Sequence, residues 1–451
     1  MITPDDLLQR LDAFSARDRE EALRSLAVRT AFPPEGGNVN LHAHSFFSFN
    51  AAGASPSRIA FDARRAGLWA AGLCDFDVLD GLEEFFRAGL ILGLRTTVHL
   101  ETRAYFPEYA AVEINSPGEP GVTYIMGGGF PAVPPPSDDR GRFLTMLRRR
   151  AADRNRALIE RINARVPAIA IDYRADVLPL TPAAAPTERH IIRAYCRKAA
   201  VVFPADRGAA FWAETLGLSR TEAEGLVADS VALEEKVRSR FVKKGGIGYE
   251  PPTAQTFPPV ADFIAWVLAC DAIPLVTWLD GTSAGESDPA AMLDTLVAKG
   301  AEGVNIIPDR NWNLSDPAAA ARKREKLREF VSAVEARHLP INIGTELNRD
   351  GLPFADDLNG PVLSAYRGPF QRGAAIMIGH TWLARYARFP YCGEQARAEF
   401  GQDRPRKNRF FESVGRLPPL TEATAERLRE TGPERAFRMI SDSARAGRWI
   451  V

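Results

Sequence analysis

The stretch Asn40-Leu41-His42-Ala43-His44-Ser45 decides how the rest of the chain is interpreted. It follows a Pro/Gly-rich break at residues 33–37, and Val39 to Leu41 is predicted to form a short buried strand. Because side chains two positions apart on a strand point to the same face, His42 and His44 should lie side by side at its end. Two neutral imidazoles in this arrangement make half of a site for a first-row metal ion. The alternative is a pair of buried, hydrogen-bonded histidines.

The composition limits the class of protein. A chain of 451 residues with 45% apolar residues can build a large core, such as a barrel with insertions. Lys+Arg and Asp+Glu each number 57, so the net charge is zero and no overall field attracts nucleic acid or an anionic membrane. Four scattered cysteines without a CxxC pair predict a reducing compartment. With no signal-peptide pattern and no apolar run of bilayer length, we expect a soluble, cytoplasmic protein.

Strand and helix signals alternate along much of the chain, which is typical of parallel α/β architecture. The predicted strands are residues 39–41, 70–73, 96–100, 122–126, 273–277, 303–307 and 340–344. An Ala-, Glu- and Arg-rich stretch interrupts this order and predicts an inserted helical subdomain. We therefore divide the chain into an N-terminal helical extension (1–37), a first barrel part (38–185), a helical insert (186–246), a second barrel part (247–350) and a mostly helical C-terminal extension (351–451).

Polar side chains stand at the carboxyl ends of several predicted strands, namely His42 and His44, Asp75 and Asp77, Glu101, and Glu346. Parallel barrels and sheets place their sites at this edge, so distant segments can supply ligands to one ion. Two imidazoles with two carboxylates suit Zn²⁺, Mn²⁺ or Fe²⁺ and balance the charge of a divalent ion. A single carboxylate at a strand end is ordinarily a solvated loop residue or a helix cap. Four such strand ends in one chain indicate a metal site.

These motifs resemble the PHP (polymerase and histidinol phosphatase) family of metal-dependent phosphoesterases. The matching stretches are Leu41-His42-Ala43-His44-Ser45, Cys74-Asp75-Phe76-Asp77, His99-Leu100-Glu101 and Gly344-Thr345-Glu346-Leu347-Asn348. The insert with Glu188-Arg189-His190-Ile191 resembles the lid of one subclass. The resemblance covers residues 38–350 and implies an α/β fold. That fold is a distorted (β/α)7-type barrel of the PHP kind with an inserted helical subdomain and a mostly helical C-terminal extension.

The chain departs from the family pattern at several ligand positions. Phe76 stands where the second motif normally has histidine, and Asn348 replaces the histidine of the last motif. Thr277-Trp278-Leu279 occupies the place of an Ala-His-Pro sequence, and Phe49-Asn50 that of a further ligand. In the last motif, Glu346 stands for an aspartate.

The ligands of the family's first metal site are retained. By resemblance they are His42, His44, the bridging Glu101 and Glu346. The implied cofactor is one Zn, Mn or Fe ion per chain, or two if a further ligand comes from Asp75, Glu113, His190 or His380.

Candidate catalytic and substrate-binding residues surround the implied ion. Asp75 or Asp77 would act as a general base or orient a ligand histidine. Arg103 follows Glu101 by two positions and would bind phosphoryl oxygens. The predicted substrate-binding residues are Arg103, Arg189, His190, Asn348 and His380, with Arg349 as a further candidate. For each arginine alone, a surface ion pair is the alternative.

The predicted function is that of a metal-dependent hydrolase, most simply a phosphoesterase acting on a small phosphorylated molecule. One alternative is a degenerate PHP-fold protein that binds a metal and a ligand without catalysis. Another is a metal-dependent hydrolase of a non-phosphate substrate. Neither nucleic acid nor a membrane is expected as a partner. Four aromatic residues of the C-terminal extension are expected to be exposed on it and to cover the barrel, with a homodimer contact as the alternative: Phe389, Tyr391, Phe410 and Phe411.

Overall fold

A computed structural model describes residues 3–204 and 206–450 of the chain. Seven strands form one sheet in chain order, β1 (Val39–Ala43), β2 (Ala70–Phe76), β3 (Arg95–Tyr105), β4 (Val122–Gly128), β5 (Ile273–Trp278), β6 (Gly303–Ile306) and β7 (Ile341–Ile343). A bridge between Ala43 and Glu346 links the first strand to the segment after the last. The sheet is thereby curled into a nearly closed barrel, which confirms the mixed α/β barrel predicted from the sequence.

Eighteen α-helices lie within the described residues. They are α1 (Pro4–Arg10), α2 (Ala16–Arg29), α3 (Pro56–Arg65), α4 (Leu82–Leu92), α5 (Asp139–Arg165), α6 (Glu188–Val202), α7 (Asp206–Leu216), α8 (Arg220–Ala228), α9 (Ser230–Phe241), α10 (Val260–Ala269), α11 (Pro289–Ala298), α12 (Asp309–Trp312), α13 (Pro317–Ala336), α14 (Arg367–Ala387), α15 (Glu394–Phe400), α16 (Arg404–Gly415), α17 (Glu422–Thr431) and α18 (Pro433–Ala446). Short 3₁₀ helices occupy Pro107–Tyr109, Pro167–Ile169, Leu178–Leu180 and Ser364–Tyr366, and a π-helix occupies Tyr173–Val177.

Strand β4 departs from the parallel pattern. It pairs antiparallel with both β3 and β5, whereas the other neighbouring strands pair parallel. The connection from β3 to β4 contains only a 3₁₀ turn at Pro107–Tyr109, and a parallel return would need a longer crossover. The antiparallel partner also extends β3 to Tyr105, beyond the predicted end at Leu100.

Several helices begin where local sequence signals place them. Ser55 accepts a hydrogen bond from the Arg58 N–H, and Pro56 occupies the first turn of α3. Every position of β1 and of β5 is buried, as expected for strands covered by helices on one face and by barrel interior on the other. Local capping and apolar runs therefore determine much of the barrel framework.

Helix α14 closes the end of the barrel opposite the strand ends that carry the polar motifs. A Cβ atom on Gly373 would lie 1.9 Å from the Ile341 carbonyl oxygen, so the helix touches the start of β7 directly. The Thr97 and Thr381 hydroxyl groups are 2.9 Å apart, which joins β3 to the same helix. The C-terminal extension thus supplies the floor of the barrel.

The aromatic residues of the C-terminal extension belong to the core. Phe389, Tyr391 and Phe411 are buried, and Phe410 is half-buried against them. The Phe389 ring lies 6.0 Å from that of Phe411, and the Tyr391 ring lies 5.0 Å from it. We expected these rings to be exposed, and that expectation is wrong because they pack among α14, α16 and α18. Of the two roles considered, covering the barrel agrees with this packing.

Helices α6 to α9 share a second hydrophobic cluster, separate from the barrel core. Tyr195, Trp212 and Phe241 are among its buried residues, and Ile162 of α5 joins them. The cluster therefore begins before residue 186, and the domain divisions stay predictions.

None of the described helices has the length and apolar character that a bilayer crossing requires.

The contact between α14 and α16 depends on glycine. A Cβ atom on Gly379 would lie 1.9 Å from the Phe411 carbonyl oxygen. We expect Gly379→Ala to lower the free energy of unfolding by about 1–3 kcal/mol, because two backbones must separate. Gly225 of α8 is the matched control, since a Cβ atom there would have no neighbour within 4 Å and alanine favours helix. Urea unfolding of both variants measures the difference, and equal stabilities would contradict the packing argument.

Candidate metal centre

Closure of the barrel brings the last motif to the first. The Glu346 N–H donates to the His42 carbonyl oxygen at 2.7 Å, and the His44 N–H donates to the Glu346 carbonyl oxygen at 2.8 Å. Gly344 permits this approach, since a Cβ atom there would lie 2.4 Å from the His42 nitrogen. Glu346 itself has a φ of 65°, a conformation that non-glycine residues seldom adopt. The backbone therefore fixes Glu346 next to both histidines.

Four buried side chains form one group, His42, His44, Glu101 and Glu346. A ligand atom from each lies within 4.8 Å of the ligand atoms of the others. One Glu101 carboxylate oxygen is 3.7 Å from His42 Nε2 and 3.5 Å from His44 Nε2. Ligand atoms bound to a tetrahedral Zn²⁺ at about 2.1 Å are about 3.4 Å apart. The group therefore has dimensions close to those of a first-row divalent site.

The two Nε2 atoms also lack other partners. Both His42 Nε2 and His44 Nε2 are buried, and neither makes a hydrogen bond. A buried nitrogen without a partner is costly, whereas a lone pair directed at a cation is satisfied. The residues present thus fit a divalent cation held between the imidazoles and the two carboxylates.

The orientation of His44 is determined by Asp75 through Ser48. The Ser48 hydroxyl donates to an Asp75 carboxylate oxygen at 2.6 Å, and its own oxygen lies 3.2 Å from His44 Nδ1. An ionised carboxylate only accepts, so the hydroxyl oxygen is left to accept from an Nδ1 proton. That proton leaves a lone pair on Nε2, which faces Glu101. Two donors from Ser45, at 2.8 and 2.7 Å, hold the Asp75 carboxylate in place.

His42 is supported by amides in the barrel interior. Its Nδ1 atom lies 3.3 Å from the side-chain amide of Asn305, which in turn contacts the amide of Asn342 at 2.9 Å. The Asn305 amide nitrogen faces Nδ1, because its oxygen accepts from the Asn342 amide nitrogen, and this contact holds the ring with Nε2 directed at Glu101. Both histidines can therefore present Nε2 to the same point.

The electrostatics of the group favour charge on Glu101 and His44. Burial opposes ionisation of Glu101, but the two imidazoles outweigh it and hold the pKa of that carboxyl well below its usual range. Burial also lowers the pKa of His44, yet Glu101 raises it above the ordinary histidine value. In the absence of an ion, protonation of His44 would therefore supply part of the positive charge that a cation would bring to Glu101.

The other predicted catalytic residues, Asp77 and Arg103, pair with side chains outside the group of four. Asp77 accepts a hydrogen bond from the Thr102 hydroxyl at 2.5 Å and lies 3.7 Å from the Arg154 guanidinium. Burial raises the pKa of Asp77. Arg103 pairs with Glu119 at 3.0 Å, and its charge is therefore already balanced. These roles stay predictions, because neither side chain belongs to the group of four.

His380 requires a correction. Its Nε2 atom lies 3.0 Å from the Gly129 carbonyl oxygen, and its Nδ1 atom accepts from the Tyr391 N–H at 3.0 Å. Burial lowers the pKa of His380 to about 3, so the ring is neutral. Both nitrogens are used by main-chain groups in the floor of the barrel, and neither is left for a substrate or a metal ion.

Other candidate residues of the lid and loops have local partners. His190 caps α6, where its Nδ1 atom accepts from the Thr187 N–H at 3.1 Å. Arg189 pairs with Glu235 at 2.5 Å. Glu113 accepts from the Gly118 N–H at 2.7 Å within its own turn. Asn348 is half-buried and Arg349 is exposed, just beyond Glu346. The structure places none of these side chains among the four candidate ligands.

The sequence analysis did not identify one positively charged side chain at the site. Arg310 of α12 has a guanidinium nitrogen 2.5 Å from a Glu346 carboxylate oxygen, and 38% of its side chain is exposed. No motif marks this residue, since 36 positions separate it from Glu346. Its place shortly after β6 is the signal that was available, because strand ends on this edge carry the other site residues.

The pH dependence of metal binding follows from the raised pKa of His44. A ligand histidine must be neutral, so a cation has to displace the proton that Glu101 stabilises on His44. We expect the affinity for Zn²⁺ or Mn²⁺ to fall by about tenfold per pH unit below that pKa. Calorimetric titration between about pH 8 and about pH 6 measures this effect. An affinity that is constant over this range would contradict a role for His44 as a ligand.

The Asp75–Ser48 pair is tested by Asp75→Asn. An amide can donate to the serine oxygen, which releases the constraint on the His44 proton. We expect the metal affinity to fall by about 10–100-fold. Ser48→Ala should produce a loss in the same direction, because it removes the link while leaving the carboxylate. Unchanged metal affinity in both variants would show that the pair serves packing alone.

Comparisons with known proteins give little further information. No family model matches the sequence, and no curated protein matches it either. One similar solved structure is described as a metal-dependent phosphoesterase from Bifidobacterium adolescentis, with a TM-score of 0.45, 17% identity and coverage of 72% of this chain and 91% of that one. Another is an amidohydrolase from Chromobacterium violaceum with bound sulfate and no metal, with a TM-score of 0.48, 16% identity and coverage of 72% and 93%. At these identities and TM-scores, neither structure establishes a function for this chain.

Proposed function

We propose that this chain is a metal-dependent hydrolase of the PHP type, which cleaves a phosphate ester of a small molecule with one divalent ion. The observation that carries this proposal is the buried group of four, in which two unpartnered Nε2 atoms face two carboxylates. A divalent ion bound there supplies Lewis-acid polarisation of a phosphoryl oxygen and activates a water molecule. Zn²⁺, Mn²⁺ and Fe²⁺ all suit this mixture of nitrogen and oxygen ligands.

The protein's own residues would orient and balance this chemistry. Asp75 and Ser48 keep the His44 proton on Nδ1, and the Asn305 amide supports His42 from behind. Asp77 is the proposed general base, and its raised pKa suits a group that exchanges a proton. Arg103 would bind a phosphoryl oxygen after its ion pair with Glu119 opens.

One observation favours the alternative of a binding protein without catalysis. The ring of Phe76 stacks 6.2 Å from His44, where the PHP pattern has a further imidazole. Hydrocarbon at this position removes a ligand for a second ion. Measurable binding of Mn²⁺ and inorganic phosphate without turnover of any phosphate ester would support this alternative. Turnover of carboxylic esters or amides alone would instead support a non-phosphate substrate.

The proposed function predicts one divalent ion per chain and its loss with the histidine pair. We expect His42→Ala to lower kcat/KM for a phosphate ester by at least about a hundredfold, because the ion and its charge stabilisation are removed. Metal analysis and a panel of phosphomonoesters and phosphodiesters measure both effects. His338→Asn is the matched control, since His338 is exposed in the turn before β7, at the opposite end of that strand from Glu346, and asparagine tolerates its φ of 52°. Full turnover by metal-free protein would refute the proposal.

A further inference from the structure

Arg310 is held in a rigid position at the mouth of the barrel. It lies on the four-residue helix α12, between β6 and α13. The next residue, Asn311, is fully buried, and its amide donates to the Leu279 and Ile307 carbonyl oxygens at 3.2 and 3.3 Å. Asp309 is also buried and accepts from the Asn313 amide at 2.9 Å. The backbone on both sides of Arg310 is thus fixed, with its guanidinium against Glu346.

Arg310 differs from the other arginines near the mouth. Each of those pairs with a carboxylate outside the candidate metal group, as shown by Arg103–Glu119, Arg154–Asp77 and Arg238–Glu188. Arg310 instead pairs with Glu346, one of the four candidate ligands. A guanidinium carries five N–H donors, and Glu346 is the one hydrogen-bond partner of the Arg310 guanidinium among the described residues. Its partly exposed side chain therefore keeps donors for a ligand that enters the mouth.

The charges of the site favour an anionic ligand next to Arg310. Two neutral imidazoles, two carboxylates and a divalent ion sum to zero, and Arg310 adds one positive charge. A second metal ion has no comparable set of ligands among the described residues, because Asp75, Glu113, His190 and His380 all bind other groups. Phosphoryl transfer commonly uses two cations, one of which can be an arginine.

We propose that Arg310 is the second cation of this site and binds an oxygen of the substrate's phosphoryl group beside the metal ion. The inference rests on the proposed function and names a substrate-binding residue for it. Arg310 and the ion would both be attracted to the negative charge of the Glu346 carboxylate, so they compete for it. Removing the guanidinium should strengthen metal binding, since a competing positive charge is lost, and should weaken phosphate binding at the same time.

The experiment compares Arg310→Gln and Arg310→Lys with the unaltered protein, using Mn²⁺ alone and then inorganic phosphate on the Mn²⁺-loaded protein. In calorimetric titrations we expect Arg310→Gln to bind Mn²⁺ about tenfold more tightly and phosphate at least about tenfold more weakly. Arg310→Lys keeps the charge but loses the planar fork, so its Mn²⁺ affinity should be unchanged and its phosphate affinity reduced. Arg328→Gln, which removes an exposed arginine paired with Glu325, should change neither affinity.

The outcomes separate this inference from the function on which it rests. If the unaltered protein binds no Mn²⁺ and cleaves no phosphate ester, the proposed function fails and the inference fails with it. If the unaltered protein does both but Arg310→Gln binds Mn²⁺ more weakly, or phosphate equally well, Arg310 only holds Glu346 in place and the inference alone is overturned. If Arg310→Gln does not fold, as judged by circular dichroism, unchanged phosphate affinity of Arg310→Lys overturns the inference.

Discussion

The pairing between the first strand and the segment after the last is the constraint on which the site depends. Two backbone hydrogen bonds join Glu346 to His42 and His44, and they hold Glu346 and Leu347 at φ values of 65° and 55°. Such conformations cost roughly 1–3 kcal/mol each, so they persist only where the surrounding structure enforces them. The strand supplies both imidazoles, and the strained turn supplies one carboxylate. The candidate ligands therefore exist as a group only in the closed barrel, and a cation that binds them stabilises the folded chain.

The buried charges of the group explain how the barrel can fold before a cation arrives. An isolated carboxylate in such a place would be strongly destabilising, yet each one has a partner. Glu101 lies against the two histidines, and Glu346 lies against Arg310. A protonated His44 and the guanidinium of Arg310 would together supply two positive charges. A divalent ion would displace the His44 proton and lie close to the Arg310 guanidinium. The metal affinity therefore depends on both groups.

Sequence reasoning predicted what depends on local order. The histidine pair, the cap at Ser55 and most strands of the barrel follow from periodicity and turn residues, and the resemblance to PHP proteins named the four residues that the fold brings together. What it missed depends on contacts between distant segments. The direction of β4, the hydroxyl of Ser48 and the guanidinium of Arg310 leave no local pattern. An apolar run such as residues 374–378 is compatible with either a buried strand or a buried helix. In the structure it lies in α14, which forms the floor of the barrel.

The positions that depart from the PHP pattern support the proposal of a single ion. Phe76 packs beside His44, and Trp278 stacks on Phe330 at 4.5 Å, so hydrocarbon stands where further ligands would be needed. Asp75 remains, but its hydrogen bonds go to Ser45 and Ser48, which makes it a support for a ligand. The four retained residues are those that the strand ends and the closing bridge hold in place. The further family ligands are absent. The positively charged group next to the four retained residues is the Arg310 guanidinium, which pairs with Glu346.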